Sequence, residues 1–302
     1  MVTENTLTPV PKNPVILASG IMGTTGSSLT RMADNGAGAV ITKSIGPVPK
    51  KGHSNPTMVE LEKGFLNAMG LPNPSYSEFL QELETVKGNT SVPVVASIFA
   101  GDSEGFVEVA EGLSSAHPDG FELNVSCPHA EGYGATIGCD SCLVEDITSS
   151  VCDVVDVPVW VKLTPNVTDI VEIGKAAERG GADAVVAINT VRGMSIDINT
   201  GYPILGNRYG GLSGQVIRPI AVKCVYDLYA SLEIPVIGVG GISFWQDAVE
   251  MIMAGASAVQ VGSAVSQSLD VFNSISSGIE EYLSSNGYSG IDDIIGLAHK
   301  MD

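Results

Sequence analysis

Eight short apolar runs recur along the chain, each followed by a longer segment with helical spacing of its apolar residues. Hydrophobicity within the runs is continuous rather than alternating, which favours strands buried on both faces, as in a parallel sheet. Eight strand–helix units predict an α/β protein of the TIM (β/α)8 barrel class, with a doubly wound sheet as the alternative. The runs are PVILASG (14–20), AGAVITKSI (37–45), VPVVASIF (92–99), GFELNVSC (120–127), VPVWVKLTP (157–165), ADAVVAIN (182–189), IPVIGVGG (234–241) and ASAVQVGSA (256–264).

The segments between the runs indicate amphipathic helices that end at glycine. The segment 167–184 is expected to stop at Gly180-Gly181, and the segment 245–256 at Gly255. Two connections, 46–76 and 190–215, are longer than a barrel needs, and long loops after barrel strands are where such proteins keep their chemistry. With no linker or low-complexity tract in view, residues 1–302 are expected to form one domain.

Composition excludes several classes of function. The chain has 302 residues, 15 Lys+Arg against 34 Asp+Glu, and a formal net charge of −19, which disfavours nucleic acid as a ligand. No apolar run approaches the ~20 residues that span a bilayer, and the first residues lack a signal-peptide layout. We therefore expect a cytoplasmic protein that binds no membrane. An odd count of five cysteines argues against a disulfide framework.

Polar residues concentrate where the predicted strands end, on the face where barrels bind substrates. The last two runs end in Gly240-Gly241 and Gly262-Ser263. Glycine lets backbone N–H groups approach an anion closely, so these ends predict a phosphate site. The alternative is that a barrel needs tight turns there in any case.

Two lysines and three asparagines fall at the same predicted face. Lys43 and Lys162 end apolar strands, where a cation could hold an anionic substrate or an electron-rich ring; otherwise each would pair with a carboxylate on a neighbouring strand. Asn67, Asn124 and Asn189 carry amides that both donate and accept, which suits a heterocycle with N–H and C=O groups. Taken singly, any of the three could be a turn residue or a helix cap.

The fourth strand run ends in Cys127, and a glycine-rich segment typical of a mobile lid follows. A thiol at a strand end near lysines could serve as nucleophile or base, whereas a buried packing role is the alternative. Cys139 and Cys142 form a CxxC without a second ligand pair, so no metal site is expected, and they are interpreted as incidental.

The chain resembles the class 1 dihydroorotate dehydrogenases, most closely the archaeal form of the class 1B catalytic subunit. The resemblance runs nearly end to end and rests on motifs in a fixed order. They are ITKSIG (41–46), LNAMGLPN (66–73), ELNVSCP (122–128), VKLTPNVTDI (161–170), INT (188–190), GGLSG (210–214), GVGG (238–241) and VGSA (261–264).

The resemblance implies a TIM barrel with FMN at its mouth, and it implies which residues contact each ligand. FMN would contact Ser19, Lys43, Ser44, Asn124, Lys162, Ile188, Gly214, Gly240, Gly241, Gly262 and Ser263, with the phosphate on the last four. Dihydroorotate would contact Lys43, Asn67, Ala68, Met69, Gly70, Leu71, Asn124, Asn189 and Thr190. Cys127 would take the C5 proton while the flavin takes the C6 hydride. The family also implies a homodimer within a heterotetramer, whose second subunit carries FAD and an iron–sulfur cluster and passes electrons to NAD.

Two positions depart from the commonest pattern of that family. His129 stands where many relatives have Asn, and Ser97 where some have Asn facing the flavin. The SCPH sequence also occurs in dihydropyrimidine dehydrogenases, so a uracil or thymine reductase is an alternative. Two further alternatives are a flavin-free phosphosugar isomerase, which would bind phosphate at the same glycine-rich strand ends, and a non-catalytic binding subunit. The LNAMGLPN segment favours dihydroorotate.

Overall fold

In a computed structural model of the protein, residues 6–126 and 137–300 are described, and they contain twelve strands and eight α-helices. The strands are β1 (Val15–Leu17), β2 (Val40–Ile41), β3 (Met58–Leu61), β4 (Gly64–Asn67), β5 (Val94–Ile98), β6 (Gly120–Asn124), β7 (Val159–Leu163), β8 (Ala184–Ala187), β9 (Val191–Gly193), β10 (Gly210–Ser213), β11 (Val236–Val239) and β12 (Ala256–Val261). The helices are α1 (Gly26–Asp34), α2 (Tyr76–Asn89), α3 (Ser103–Ser114), α4 (Ser141–Cys152), α5 (Ile170–Arg179), α6 (Arg218–Tyr229), α7 (Trp245–Met253) and α8 (Val271–Ser285).

The predicted barrel is confirmed. Eight parallel strands close in the order β1-β12-β11-β8-β7-β6-β5-β2, and each lies inside one of the eight apolar runs. The helices lie between them and bury apolar residues of both layers in one large core. The predicted helix ends are also observed, since α5 is followed by Gly180 and by Gly181 at φ +92°, and α7 is followed by Gly255 at φ +124°.

The interior of the barrel is apolar at its amino end. Ile16, Ile41, Trp160 and Ile237 are fully buried in one cluster there. Leu7 belongs to the same cluster, and the Trp160 indole Nε1 donates to the Thr8 carbonyl at 2.6 Å. The segment before β1 therefore packs across this end of the barrel.

The two long connections are not simple loops, which corrects the expectation from the sequence. They contribute the strands of a second sheet, antiparallel throughout, in the order β3-β4-β10-β9. These strands are three or four residues long and mostly half-exposed, so they lack a continuous apolar run. Their pairing joins residues as far apart as Asn67 and Gly211, and a sequence read locally does not reveal such a contact.

Candidate active site

A cavity of about 780 Å³ lies at the carboxyl ends of the barrel strands, beside the second sheet. Its volume falls within the range of ligand pockets, about 300–1,000 Å³. Every predicted cofactor or substrate residue within the described part of the chain lines it, from both the barrel and the second sheet. These residues are Ser19, Lys43, Ser44, Asn67, Ala68, Met69, Gly70, Leu71, Asn124, Lys162, Ile188, Asn189, Thr190, Gly214, Gly240, Gly241, Gly262 and Ser263. The structure thus brings them together, although it does not assign their ligands.

The cavity is positively charged although the protein is strongly acidic. Five of the chain's 15 Lys and Arg residues line it, and among residues 6–126 and 137–300 no Asp or Glu does. Sequence reasoning missed three of these cations, namely Lys50, Lys51 and Arg192. The adjacent lysines in the long connection after β2 were a signal that could have found two of them.

The floor of the cavity is a hydrogen-bonded network around Lys162. The Lys162 Nζ donates to Ser19 Oγ at 3.1 Å and to Gln260 Oε1 at 3.0 Å. Gln260 Nε2 in turn donates to Glu122 Oε2 at 2.8 Å, and Glu122 Oε1 lies 3.6 Å from the Lys162 ammonium. For Lys162, the alternative prediction is therefore confirmed: it pairs with a carboxylate on a neighbouring strand, because Glu122 lies on β6 and Lys162 on β7.

Sequence reasoning missed both Glu122 and Gln260. In β6, Phe121 and Leu123 belong to the outer core, whereas Glu122 meets Lys162 inside the barrel. Side chains alternate along a strand, so residues two apart share a face. Since Asn124 was predicted to face the site, the same spacing could have placed Glu122 below it.

One wall of the cavity is a chain of neutral polar side chains. Asn124 Nδ2 donates to Ser44 Oγ at 3.0 Å, and Asn189 Nδ2 lies 3.4 Å from Asn124 Oδ1. Ser44 Oγ is also 2.9 Å from Ser97 Oγ. Ser97 is fully buried behind Ser44 and is not among the lining residues, so it supports the wall rather than forming it.

Lys43 differs from Lys162 in having no counter-charge in the part of the chain that the structure describes. Its side chain is nearly buried, and within the described residues its ammonium makes no hydrogen bond or ion pair. Burial lowers the pKa of Lys43, because the low-dielectric surroundings disfavour the charged form. A group in this setting gains most from an anionic ligand.

The segment 67–71 forms the side of the cavity next to the second sheet. Asn67 ends β4, and its Nδ2 donates to the Gly211 carbonyl on β10 at 3.3 Å. Gly70 has φ +74°, and a Cβ there would lie 2.7 Å from the His53 backbone nitrogen. His53 N donates to the Met69 carbonyl at 3.0 Å, and His53 also lines this side of the cavity.

The two glycine-rich strand ends meet the requirements of a phosphate site. In the described structure, the backbone N–H groups of Gly240, Gly241, Gly262 and Ser263 donate to no protein acceptor, and all four residues line the cavity. Gly241 has φ +78°, and a Cβ there would lie 2.6 Å from Arg218 Cβ. A phosphate oxygen accepts from such groups, so this region fits the phosphate group of a cofactor or substrate.

The cysteines differ in their positions relative to the cavity. Cys127, the predicted base, lies outside the described residues. Cys139 lines the cavity edge, and its thiol lies 3.7 Å from the Asn166 carbonyl, so this residue is closer to the site than its interpretation as incidental implied. Burial raises the pKa of Cys152 and of Cys224 to about 11, which leaves little thiolate at neutral pH. Within residues 6–126 and 137–300, no group of three or more His, Cys, Asp or Glu could hold a metal ion.

A parallel barrel whose carboxyl-end cavity combines unpaired backbone donors, lysines and amides has the architecture of a cofactor-dependent enzyme. The sequence profile of the family described as "Dihydroorotate dehydrogenase" matches residues 2–283. The chain belongs to this family, whose members are flavin-dependent oxidoreductases, and it is itself an oxidoreductase.

Similar curated proteins bear the name "Dihydroorotate dehydrogenase B (NAD(+)), catalytic subunit". The protein of Methanosarcina acetivorans is 69% identical over 96% of this chain and 94% of its own length. That of Pyrococcus abyssi is 54% identical over 96% of both chains, and that of Methanocaldococcus jannaschii is 52% identical over 96% of this chain and 95% of its own. In the described part of the chain, no helix is both long and apolar enough to cross a membrane.

Proposed function

We propose that this chain catalyses the FMN-dependent oxidation of (S)-dihydroorotate to orotate in de novo pyrimidine biosynthesis. One observation carries the proposal: eighteen residues expected to hold these two ligands line one positively charged cavity in a protein of net charge −19. Dihydroorotate is an anionic ring with alternating N–H and C=O groups, and the cavity offers cations together with amides. The family membership supports the same reaction.

The chain's residues would divide the work between cofactor and substrate. Backbone N–H groups of Gly240, Gly241, Gly262 and Ser263 would hold the FMN phosphate. When bound, FMN would supply the acceptor for the hydride that leaves C6 of the substrate. Lys43 would bind the substrate's negative charge. Asn67, Asn124 and Asn189 would orient its ring through their amides.

Cys127 would act as the base that removes the C5 proton. It follows β6, whose last residue, Asn124, lines the cavity. A thiol with an ordinary pKa near 8.5 needs only a modest lowering to function at neutral pH. The cations that line the cavity would favour its thiolate over the thiol.

The proposal includes a separate electron-transfer subunit, a homodimer of this chain and a cytoplasmic location. The relatives' names contain the words "catalytic subunit" and "NAD(+)", which supports a division of the reaction between two polypeptides. The FAD and iron–sulfur cofactors of the second subunit, the oligomer and the location rest on the sequence expectations alone.

Stopped-flow measurement of anaerobic flavin reduction tests the reaction. We expect the purified chain to be yellow, with FMN as its extractable flavin, and dihydroorotate to bleach it much faster than dihydrouracil does. Faster bleaching by dihydrouracil would favour the uracil or thymine reductase, and a colourless protein that retains no added FMN would contradict the proposal. NAD alone should not reoxidise the chain rapidly, whereas an artificial dye should.

The role of Cys127 is tested by Cys127→Ala, with Cys142→Ala as the matched control because Cys142 is exposed outside the cavity. We expect Cys127→Ala to bind FMN and orotate but to lower flavin reduction at pH 7 by at least 100-fold. An unchanged rate in Cys127→Ala would remove this thiol from the mechanism.

A further inference from the structure

Glu122 is the most deeply buried charged group of the floor, and the mechanism above gives it no role. Its side chain has no exposure, and it lies beneath residues that line the cavity. One carboxylate oxygen accepts from Gln260, whereas Oε1 has no hydrogen-bond partner in the described structure. Burying a carboxylate with an unsatisfied oxygen costs folding free energy, so the presence of Glu122 here requires a physical reason.

The nearest cation to that oxygen is Lys162. Its ammonium is 3.6 Å from Oε1, too far for a hydrogen bond but close enough for strong attraction in a buried site. The ammonium instead donates to Ser19 Oγ and Gln260 Oε1. Two of the three N–H donors of Lys162 therefore bind neutral groups. Glu122 balances the charge of Lys162 without accepting a hydrogen bond from it.

Gln260 links the two charges and fixes their arrangement. It is almost fully buried, and its amide accepts from Lys162 at one end and donates to Glu122 at the other. These contacts allow only one orientation of the amide, because Lys162 can only donate and the ionised carboxylate can only accept. The network therefore holds Lys162 at the cavity floor, with its counter-charge on the side away from the cavity.

We propose that Glu122 is a positioning residue that sets how much positive charge Lys162 presents to the ring of a bound flavin, and thereby sets the flavin's reduction potential. This inference rests on the proposed function, because it requires a flavin above Lys162. Reduction adds negative charge to the ring, so a cation below it favours the reduced form. Glu122 offsets part of that effect, and its removal makes reduction easier.

The midpoint potential of the bound flavin tests this without substrate turnover. It is measured by spectroscopic titration with dithionite and a redox dye in wild type, Glu122→Gln, Glu122→Asp and Asp119→Asn. Glu122→Gln keeps the shape and removes the charge. Asp119→Asn is the control, because Asp119 also forms an ion pair with a lysine, Lys87. Asp119 precedes β6 and therefore lies at the opposite end of the barrel from the cavity.

We expect Glu122→Gln to raise the ratio of reduced to oxidised flavin at least tenfold at a given potential, a positive shift of about 30 mV for a two-electron couple. Glu122→Asp keeps the charge and should shift by less than half as much in the same direction, while Asp119→Asn should not shift. Should Glu122→Gln not fold, the smaller positive shift in Glu122→Asp remains the test.

A potential unchanged in the Glu122 variants, or shifted equally in Asp119→Asn, would overturn the inference. Such a result would leave the proposed function intact, provided that dihydroorotate still reduces the flavin. Conversely, a wild-type chain that binds FMN but ignores dihydroorotate would contradict the proposed function while leaving the potentials measurable.

Discussion

The two lysines of the cavity lie in opposite electrostatic settings. Lys162, on the floor, is surrounded by Ser19, Gln260 and Glu122, which satisfy and balance its charge. Lys43, also nearly buried, has no counter-charge among residues 6–126 and 137–300, and burial lowers its pKa. Among its described residues, the protein thus supplies a charged partner for Lys162 and none for Lys43. Lys162 is part of the folded framework, whereas an anionic ligand would offset the cost of burying the Lys43 charge.

The largest expected effect is on stability. Lys162→Met leaves Glu122 buried without its cation, and breaking a buried pair in this way costs about 3–5 kcal/mol. Urea unfolding of the flavin-free protein measures the loss. The control Lys87→Met breaks a partly exposed pair with Asp119 and should cost about 1 kcal/mol or less. Equal losses of unfolding free energy in the two variants would show that the floor network stabilises the protein no more than a partly exposed ion pair does.

Lys43→Met should behave in the opposite way. Because the substitution removes a buried cation that has no partner among the described residues, we expect no loss in unfolding free energy for the ligand-free protein. Orotate affinity should fall by about 2 kcal/mol, roughly 30-fold, since the ligand loses a buried charge partner. Flavin absorbance during orotate titration reports the affinity. Lys51→Met, an exposed cation of the same mouth, is the control and should lose less than threefold.

The lowered pKa of Lys43 predicts a dependence on pH. The proposed role of Lys43 requires orotate to bind its protonated amine, so orotate affinity should be constant below the Lys43 pKa of the free protein and fall up to tenfold per pH unit above it. The free energy of unfolding should also depend on the protonation of Lys43. Between the lowered pKa and the ordinary 10.5, the unfolded chain binds more protons, so this contribution to stability rises with pH. Titrations of Lys43→Met, in which both trends should vanish, check the assignment.

The smallest effect is expected from Ser19→Ala. It removes one hydrogen bond from Lys162 and should cost about 1 kcal/mol of unfolding free energy. Ser103→Ala, which loses an exposed hydrogen bond to Asp146, should cost less than half as much in the same urea experiment. A larger loss in Ser103→Ala would contradict the view that the floor network is tightly coupled.

The barrel and most of its ligand residues could be predicted because both depend on local patterns. Continuous apolar runs indicate two-sided burial, and parallel strands place all their carboxyl ends at one face. Lys43, Asn124 and Lys162 could be assigned to one cavity for that reason alone. The resemblance added residues 68–71, whose place beside the cavity depends on the preceding strand, β4, and its pairing with β10.

What the amino-acid sequence by itself determined is the order of strands and helices, the acidic charge and the set of polar residues at the strand ends. Only the tertiary structure decided which cations are paired. Glu122 and Gln260 are separated by 138 residues and yet touch, because the closed barrel turns both into its interior. Pairing depends on distances between strands that lie far apart in the chain, and no local pattern of hydrophobic and polar residues contains those distances.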